Sequence, residues 1–453
     1  MLSLQPDVEQ YDVGAHVEYY IDLTHRMTFE QAQSMVKSGA FQPGKGTMDF
    51  GDSDATFWLH LRVNNPTGIT QNWVLNTGSQ RMRNAEVFFV NGDEVERLLL
   101  DNLYRPFTER PTQHRLLIAG LTLGPYETVE LYFSYISAKS SYFPLKIMQA
   151  EAFSAWDAGQ NQMALLVLGA ILVLTFYSVF LFFTAGNYSY IYYLIFISST
   201  FLYLLHQFGY AYQYLWPNHP YFNSYAAGIF GFTAGISGLL FGRSFFEVWE
   251  ISRYWNWLYL ALIGIFAVGT VYLYLWPNGP AIGVFGFVFG TVSALLNFTM
   301  ALIRYARKDL SAGIAAIGWS ALILWGLLIN LTSFGVFKIP QQLVFDNFYM
   351  IYAVCSLAET SFLTLSLFVR THQTIKASHR ERRAYIRMLE AEAKTAKTLA
   401  VALQDRQSAI EDAARKGRLV ESIAHDIRRR CMQCASRATG RKKRISLQTK
   451  LLI

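Results

Sequence analysis

From Ala158 to Gly242 the chain runs 85 residues without an Asp, Glu, Lys or Arg, and from Tyr254 to Ile303 it does so for another 50. A water-soluble domain carries charge at about a quarter of its positions, spread over its surface. Gaps of this length leave no way to cover a soluble core, so a soluble protein of 453 residues is excluded. The overall composition agrees, with 52% hydrophobic and 16% charged residues. A bilayer core of about 30 Å needs roughly 20 apolar helical residues to cross it. Such stretches lie near 163–185, 190–212, 223–242, 257–276, 281–303, 312–336 and 347–369, which predicts a seven-helix transmembrane bundle over residues 160–370.

Basic residues in short loops set the orientation. Arg243 and Arg253 follow the third span and Arg304, Arg307 and Lys308 follow the fifth, whereas the opposite side shows Lys338 alone. This predicts a multi-pass membrane protein with the first domain outside and the C-terminus cytoplasmic. Spans two and four both leave the membrane through Tyr-Leu-Trp-Pro-Asn, at 214–218 and 274–278. Trp and Tyr favour the headgroup level and Pro-Asn turns the chain. The echo continues in Gly228-Ile229-Phe230-Gly231-Phe232 and Gly283-Val284-Phe285-Gly286-Phe287. Duplication of a hairpin and convergent interface chemistry both account for it.

Residues 1–155 follow a different period. Phe57, Leu59, Leu61 and Val63 alternate with other residues, as do Val129, Leu131, Phe133 and Tyr135, the two-residue repeat of half-buried strands. Asn91-Gly92 after Val87-Phe88-Phe89-Val90 signals a hairpin, and Gly124-Pro125 a second turn. An extracytoplasmic antiparallel β-sandwich of jelly-roll type fits this pattern. Met1-Leu2-Ser3-Leu4-Gln5-Pro6 has neither the basic nor the apolar region of a secretory signal, so the natural start is expected upstream. Cys355, Cys431 and Cys434 are the three cysteines, so no disulfide framework serves the first domain.

After Arg370 the composition turns to Ala, Arg, Glu, Lys and Gln without Pro, predicting a signalling helix over 371–428. A heptad frame puts Ile386, Leu389, Ala393, Ala396, Ala400, Leu403, Ile410 and Ala414 on one seam. The seam is weak, being rich in Ala and interrupted by Gln407 and Gly417, yet an isolated polar helix has little apolar face to bury. A coiled-coil homodimer through residues 380–424 is therefore expected.

The run Leu419-Val420-Glu421-Ser422-Ile423-Ala424-His425-Asp426-Ile427-Arg428 places an imidazole next to a carboxylate beside that seam. It resembles the phosphoacceptor box of sensor histidine kinases. In that chemistry the exposed His425 attacks a γ-phosphate while Asp426 accepts its proton and orients the ring. An ordinary surface histidine on a charged helix is the plainer reading of the same residues. The pattern departs from the kinases after Arg428, where Arg429-Arg430-Cys431 replaces the usual Pro-hydrophobic pair, and 28 residues follow His425, too few for an ATP-binding domain. A chain of this kind is expected to be inactive as a kinase by itself. Residues 428–453 hold nine Lys/Arg and no acid. Either a frameshift or a polybasic segment held by membrane lipids explains them, and a disordered basic tail is expected over 429–453. Taking nine from the 39 basic residues leaves 30 against 32 acids, so the net +7 belongs to the tail and does not argue for nucleic acid.

Cys431-Met432-Gln433-Cys434 has metal or redox spacing, but one pair is half a site, and no metal or cofactor is indicated. Within the spans the polar candidates are His206, Asn297, Asn330 and Glu359, with Glu359 the foremost because an ionisable group in a bilayer is a functional candidate by default. Coupling to His206, proton uptake and a neutral carboxyl bonded between helices are all open to it.

Phe57-Trp58-Leu59-His60-Leu61-Arg62-Val63-Asn64-Asn65-Pro66, the seven spans and the helix into a His box, in that order, resemble the bacterial seven-transmembrane receptors with diverse intracellular signalling modules, over residues from about 10 to 428. The resemblance implies a jelly-roll-like sensory domain that binds carbohydrate or another small ligand and drives an output module, here of histidine-kinase type. It implies a bacterial inner membrane as the location and a response regulator or a separate kinase as partner. A non-enzymatic receptor or scaffold acting through its coiled coil is the alternative, and a transporter is a third reading with sparse intramembrane charge to support it.

Overall fold

The computed structural model describes residues 1–44, 46, 48, 50, 53, 55–80, 82–102, 104–136, 144–185, 187–275, 282–333 and 347–449. They form two compact units, 1–371 and 372–453.

The first unit begins with two sheets. Strands β1 (Leu2–Ser3), β2 (Gln10–Asp12), β3 (Glu18–Asp22), β4 (Gln42–Pro43), β5 (Thr56–Asn64), β6 (Gln71–Asn76), β7 (Asn84–Asn91), β8 (Glu94–Asn102), β9 (Ile118–Leu123), β10 (Thr128–Ile136) and β11 (Lys146–Gln149) supply them, with one helix, α1 (Phe29–Lys37). The larger sheet runs β4-β3-β5-β10-β7-β8, with β1 parallel to β5, and the smaller runs β2-β11-β6-β9. The two alternating runs of the sequence are partners, since Phe57, Leu59, Leu61 and Val63 lie opposite Tyr135, Phe133, Leu131 and Val129. These eight side chains are buried together with Trp73, Leu75, Leu121 and Ile147 of the smaller sheet, so the alternation marks the face between the sheets. The sandwich expected from the two-residue period is present.

The hairpin after Val90 is shifted by one residue from the sequence reading. Asn91 still pairs with Glu94, so Gly92-Asp93 make the turn, and Gly92 takes the positive φ of 62°. Gly124-Pro125 carries the chain from β9 in one sheet to β10 in the other. The other face of β5 is covered too. Trp58, Phe88 and Tyr132 form a second apolar layer with Ala32 and Phe29 of α1. Thr28 caps that helix through a capping box with Gln31.

Strand β11 passes straight into α2 (Ala150–Ala185), the first of seven helices among the described residues that are long and apolar enough to cross a membrane. The others are α3 (Tyr188–Gln207), α5 (Pro220–Phe245), α7 (Arg253–Leu275), α8 (Ile282–Ala306), α9 (Leu310–Ser333) and α10 (Phe348–Thr449), with short turns α4 (Tyr210–Tyr214) and α6 (Val248–Ile251) between them. The second span differs from its expected extent of 190–212. It breaks at Gly209, whose φ of 86° a helix cannot hold, and a Cβ there would lie 2.9 Å from the Arg115 carbonyl oxygen. The two echoing glycine–phenylalanine segments pack on each other, Phe232 meeting Phe285 edge-on at 5.7 Å. Lys338 and Trp276-Pro277-Asn278 lie outside the described residues.

Helix α10 runs without interruption from the seventh span. The basic tail, expected to be disordered, is helical to Thr449. Arg, Lys, Ala and Gln are helix formers, and Gly440 is the single breaker between Arg428 and Thr449. In the second unit the seam residues Ile386, Leu389, Leu403 and Ile410 are all exposed.

Leu59→Ala should cost the sandwich about 2–5 kcal/mol, because it opens a cavity between the sheets, whereas Leu23→Ala at an exposed site should cost little. Chemical unfolding followed by hydrogen exchange in β5 and β10 checks both. A pH effect follows from Glu130. Burial alone would raise its carboxyl, but hydrogen bonds from Arg62 and Tyr132 and the charges of Arg62 and His60 outweigh that and hold it below the ordinary glutamate value. A carboxylate lowered by folding adds stability above its unfolded value, near pH 4.3, and loses it as the pH falls through the folded one. The sandwich should therefore weaken below about pH 4, and Glu130→Gln should flatten that limb. The amplitude is small because Arg62 is half exposed.

Candidate functional site

Where the sandwich meets the bundle, charged residues are buried in pairs. The segment between β8 and β9 contributes Phe107, Arg110, His114 and Arg115. Arg110 Nη2 donates to Asp101 Oδ2 and to the carbonyl oxygen of Gln80, each at 3.1 Å. The two side chains of this pair are 2% and 3% exposed. Its guanidinium also lies 5.2 Å from the ring centres of both Phe107 and Tyr212, and those rings meet edge-on. Tyr212 belongs to α4, so the arginine touches both the sandwich segment and the turn that follows the second span. A buried pair needs such further partners to offset the loss of hydration.

A second group lies alongside. Arg115 Nη2 donates to Asp157 Oδ1 at 2.6 Å, and His114 Nε2 is 3.2 Å from the other oxygen. Asp157 sits on α2 and is the last charge before the long uncharged stretch. Asn161, one turn on, donates to Asp157 Oδ2 at 2.8 Å and accepts from the Tyr210 hydroxyl at 2.6 Å. The carboxylate thus ties a sandwich arginine to two helices.

The Tyr214–Asn218 pentapeptide completes the junction. The Phe107 amide donates to the Pro217 carbonyl at 2.8 Å, Thr108 contacts Asn218, and the Trp216 indole donates to Asn223 Oδ1 at 3.0 Å. Tyr212 donates its hydroxyl to the Arg105 carbonyl at 2.5 Å. The pentapeptide is therefore a docking surface for the sandwich. Sequence reasoning passed over Arg110, Asp101, Arg115 and Asp157. The available signal was the position of Asp157 at the brink of the uncharged stretch, and of two arginines in a segment without strand period.

At the far end of the bundle a second set of charges is gathered. Glu247, between α5 and α6, has the positive φ of 47°. Its carboxylate accepts from Arg304 of α8 at 2.9 Å and from Arg370 of α10 at 3.2 Å. Arg370 also bonds the Phe245 carbonyl and lies 4.6 Å from the centre of that ring.

The sequence candidates are scattered. Glu359 is fully enclosed at 1% exposure and neither carboxyl oxygen has a hydrogen-bond partner among the described residues. Its backbone packs against Gly318 of α9. His206 is buried at the sandwich end of α3, parallel to the Trp216 ring at 6.4 Å. Tyr193 bonds Thr360, the neighbour of Glu359, and His206 lies 13 residues further along the same helix, about 20 Å by helical rise. The two are not brought together. Asn297 accepts from Tyr259 at 2.8 Å and Asn330 donates to Thr291 at 3.0 Å, both as ties between helices. His425 and Asp426 are adjacent and exposed on α10. Among the described residues no group of His, Cys, Asp and Glu is arranged to hold a metal ion.

Two family models match the chain. One, described as 7TM diverse intracellular signalling, covers residues 160–370, and the other, described as 7TMR-DISM extracellular 2, covers residues 14–149. No curated protein matches it.

Arg110→Met should destabilise the junction by about 3–5 kcal/mol, because it removes the cation that balances the buried Asp101 carboxylate. Arg110→Met with Asp101→Asn should recover part of that loss. Thermal unfolding in lipid nanodiscs, read with hydrogen exchange in Phe107–Arg115, measures both.

Proposed function

The chain belongs to the seven-transmembrane receptors with diverse intracellular signalling modules, and from that membership we propose that it senses a small extracytoplasmic ligand with its sandwich and drives a cytoplasmic two-component output from a bacterial inner membrane. The observation that carries this reading is the junction. A sensory domain acts on a bundle only if movement of one displaces the other, and a desolvated arginine–aspartate pair across the junction, Arg115 with Asp157, beside an Arg110 held by Asp101 against the Tyr212 ring, resists sliding better than an apolar contact that tolerates rearrangement. Carbohydrate is the ligand class that the family resemblance supports. An odd number of spans and the arginines at 243, 253, 304 and 307 support a cytoplasmic C-terminus.

On the inner side, α10 continues from the seventh span as a helix whose exposed apolar seam suits a homodimer through residues 380–424. His425 beside that seam accepts phosphate from a kinase acting in trans, with Asp426 orienting its ring, and hands it to a response regulator. Membrane lipids surround the bundle, and nucleic acid has no place in the scheme.

The full-length protein in nanodiscs, given γ-labelled ATP alone and then with an intact homologous kinase, tests the output. Label on residue 425 in the presence of the kinase, abolished by His425→Gln, is the expected outcome. Absence of label under both conditions would instead support a scaffold that works through its coiled coil on a separate kinase.

A further inference from the structure

We propose that the second span, α3, is the rod that transmits movement of the sandwich to the root of the last helix, with Tyr190 and Tyr193 as its positioning residues. This rests on the receptor reading above and adds a route to it.

The span is bonded at both ends. At the sandwich end Gln80 Nε2 donates to Gln207 Oε1 at 3.3 Å, and Gln207 in turn donates to Tyr203 at 2.7 Å. Gly209 follows with its backbone against Arg115, and the α4 turn then bonds Asn161 and Arg105 through Tyr210 and Tyr212. Any shift of the Arg105–Arg115 segment is thus imposed on the residues that continue α3. At the other end the Tyr190 hydroxyl meets Thr371 Oγ1 at 2.6 Å. The Tyr193 hydroxyl donates to the Thr360 carbonyl at 2.8 Å and lies 2.7 Å from Thr364 Oγ1. Tyr190 and Gln207 are 17 residues apart, about 26 Å of continuous helix.

These contacts suit transmission rather than mere cohesion. All three hydroxyl partners lie on one stretch of α10, residues 360–371, which ends where the first compact unit ends. Tyr193 is fully enclosed and cannot exchange its partners for water. Thr371 and Thr364 each also donate back to the carbonyl four residues earlier, at 2.8 and 2.7 Å, so neither needs the tyrosine to be satisfied. The tyrosines therefore fix where α3 stands along α10, and removing their hydroxyls strands no buried group. Arg370, bonded to Glu247 and the Phe245 carbonyl, holds the same segment from another side and gives the root a resting position to leave.

The test needs no ligand. In full-length protein with its three cysteines replaced, a nitroxide on residue 373 reports motion at the root in nanodiscs. The outer end is perturbed by Arg115→Gln, with Tyr212→Phe as a milder second input. Each should change the nitroxide spectrum, and the change should shrink at least fivefold once Tyr190→Phe and Tyr193→Phe are combined with it. A response that survives both tyrosine changes in full overturns the rod while leaving the receptor reading in place. No response at residue 373 to either outer variant, in protein that still melts as one folded species, overturns the rod and the receptor reading together. Should the pair of tyrosine changes prevent folding, Tyr190→Phe alone applies the same criterion with an expected twofold loss.

Discussion

Inside a bilayer there is no water to accept a hydrogen bond or to hydrate a charge, so each polar group must be satisfied by the protein or moved to the rim. This constraint orders the molecule. Charges vanish from Ala158 to Gly242 and reappear in tight clusters at the two ends of the bundle. Asp157 binds Arg115 at one end, and Glu247 binds Arg304 and Arg370 at the other. Between the rims the polar contacts are short-range and neutral, as with Tyr259 on Asn297 and Ser366 on the Ser311 carbonyl. Glu359 stands apart as a carboxyl in the interior without a hydrogen-bond partner among the described residues.

The same constraint explains why the junction between sandwich and bundle is polar where an apolar seal would be simpler to build. The rim lies where hydration falls off, so an arginine there is dry enough to bind a carboxylate strongly and close enough to the sandwich to be supplied by a loop. Arg110 lies against the adjacent rings of Phe107 and Tyr212, and its pairing with Asp101 lies within the sandwich while its contact with Tyr212 reaches the helices. A domain anchored in this way has few alternative seatings on the bundle.

Much of the architecture was legible because periodicity is local. The residue pairs that alternate in β5 and β10 face each other across the ladder, and the seven apolar stretches correspond to seven helices. The hairpin turn was displaced by one residue, since Asn-Gly and Gly-Asp both suit a two-residue loop and the pairing of Asn91 with Glu94 decides between them. The second helix ends at Gln207 although apolar residues continue through Gly209, and nothing nearby in sequence announces the Arg115 carbonyl beside its left-handed bend. The charge of the basic tail argues for disorder, but its residues are good helix formers and it follows a helix already begun, so it is helical to Thr449.

By itself the sequence determined that the chain is a membrane protein with a β-sandwich ahead of seven spans and a helical extension behind them, because burial demands of bilayer and sheet write themselves as runs and alternations. It also singled out His425, Asp426, Glu359 and His206 by residue type. Tertiary structure alone decided which of the polar residues meet. Arg110 and Asp101 are nine positions apart, Arg115 and Asp157 are 42, and Tyr190 and Thr371 are 181. Such contacts leave no periodic trace, since the partners are set by the packing of whole elements, and Arg115 with Asp157 joins the sandwich to the bundle as Tyr190 with Thr371 joins the second span to the last helix.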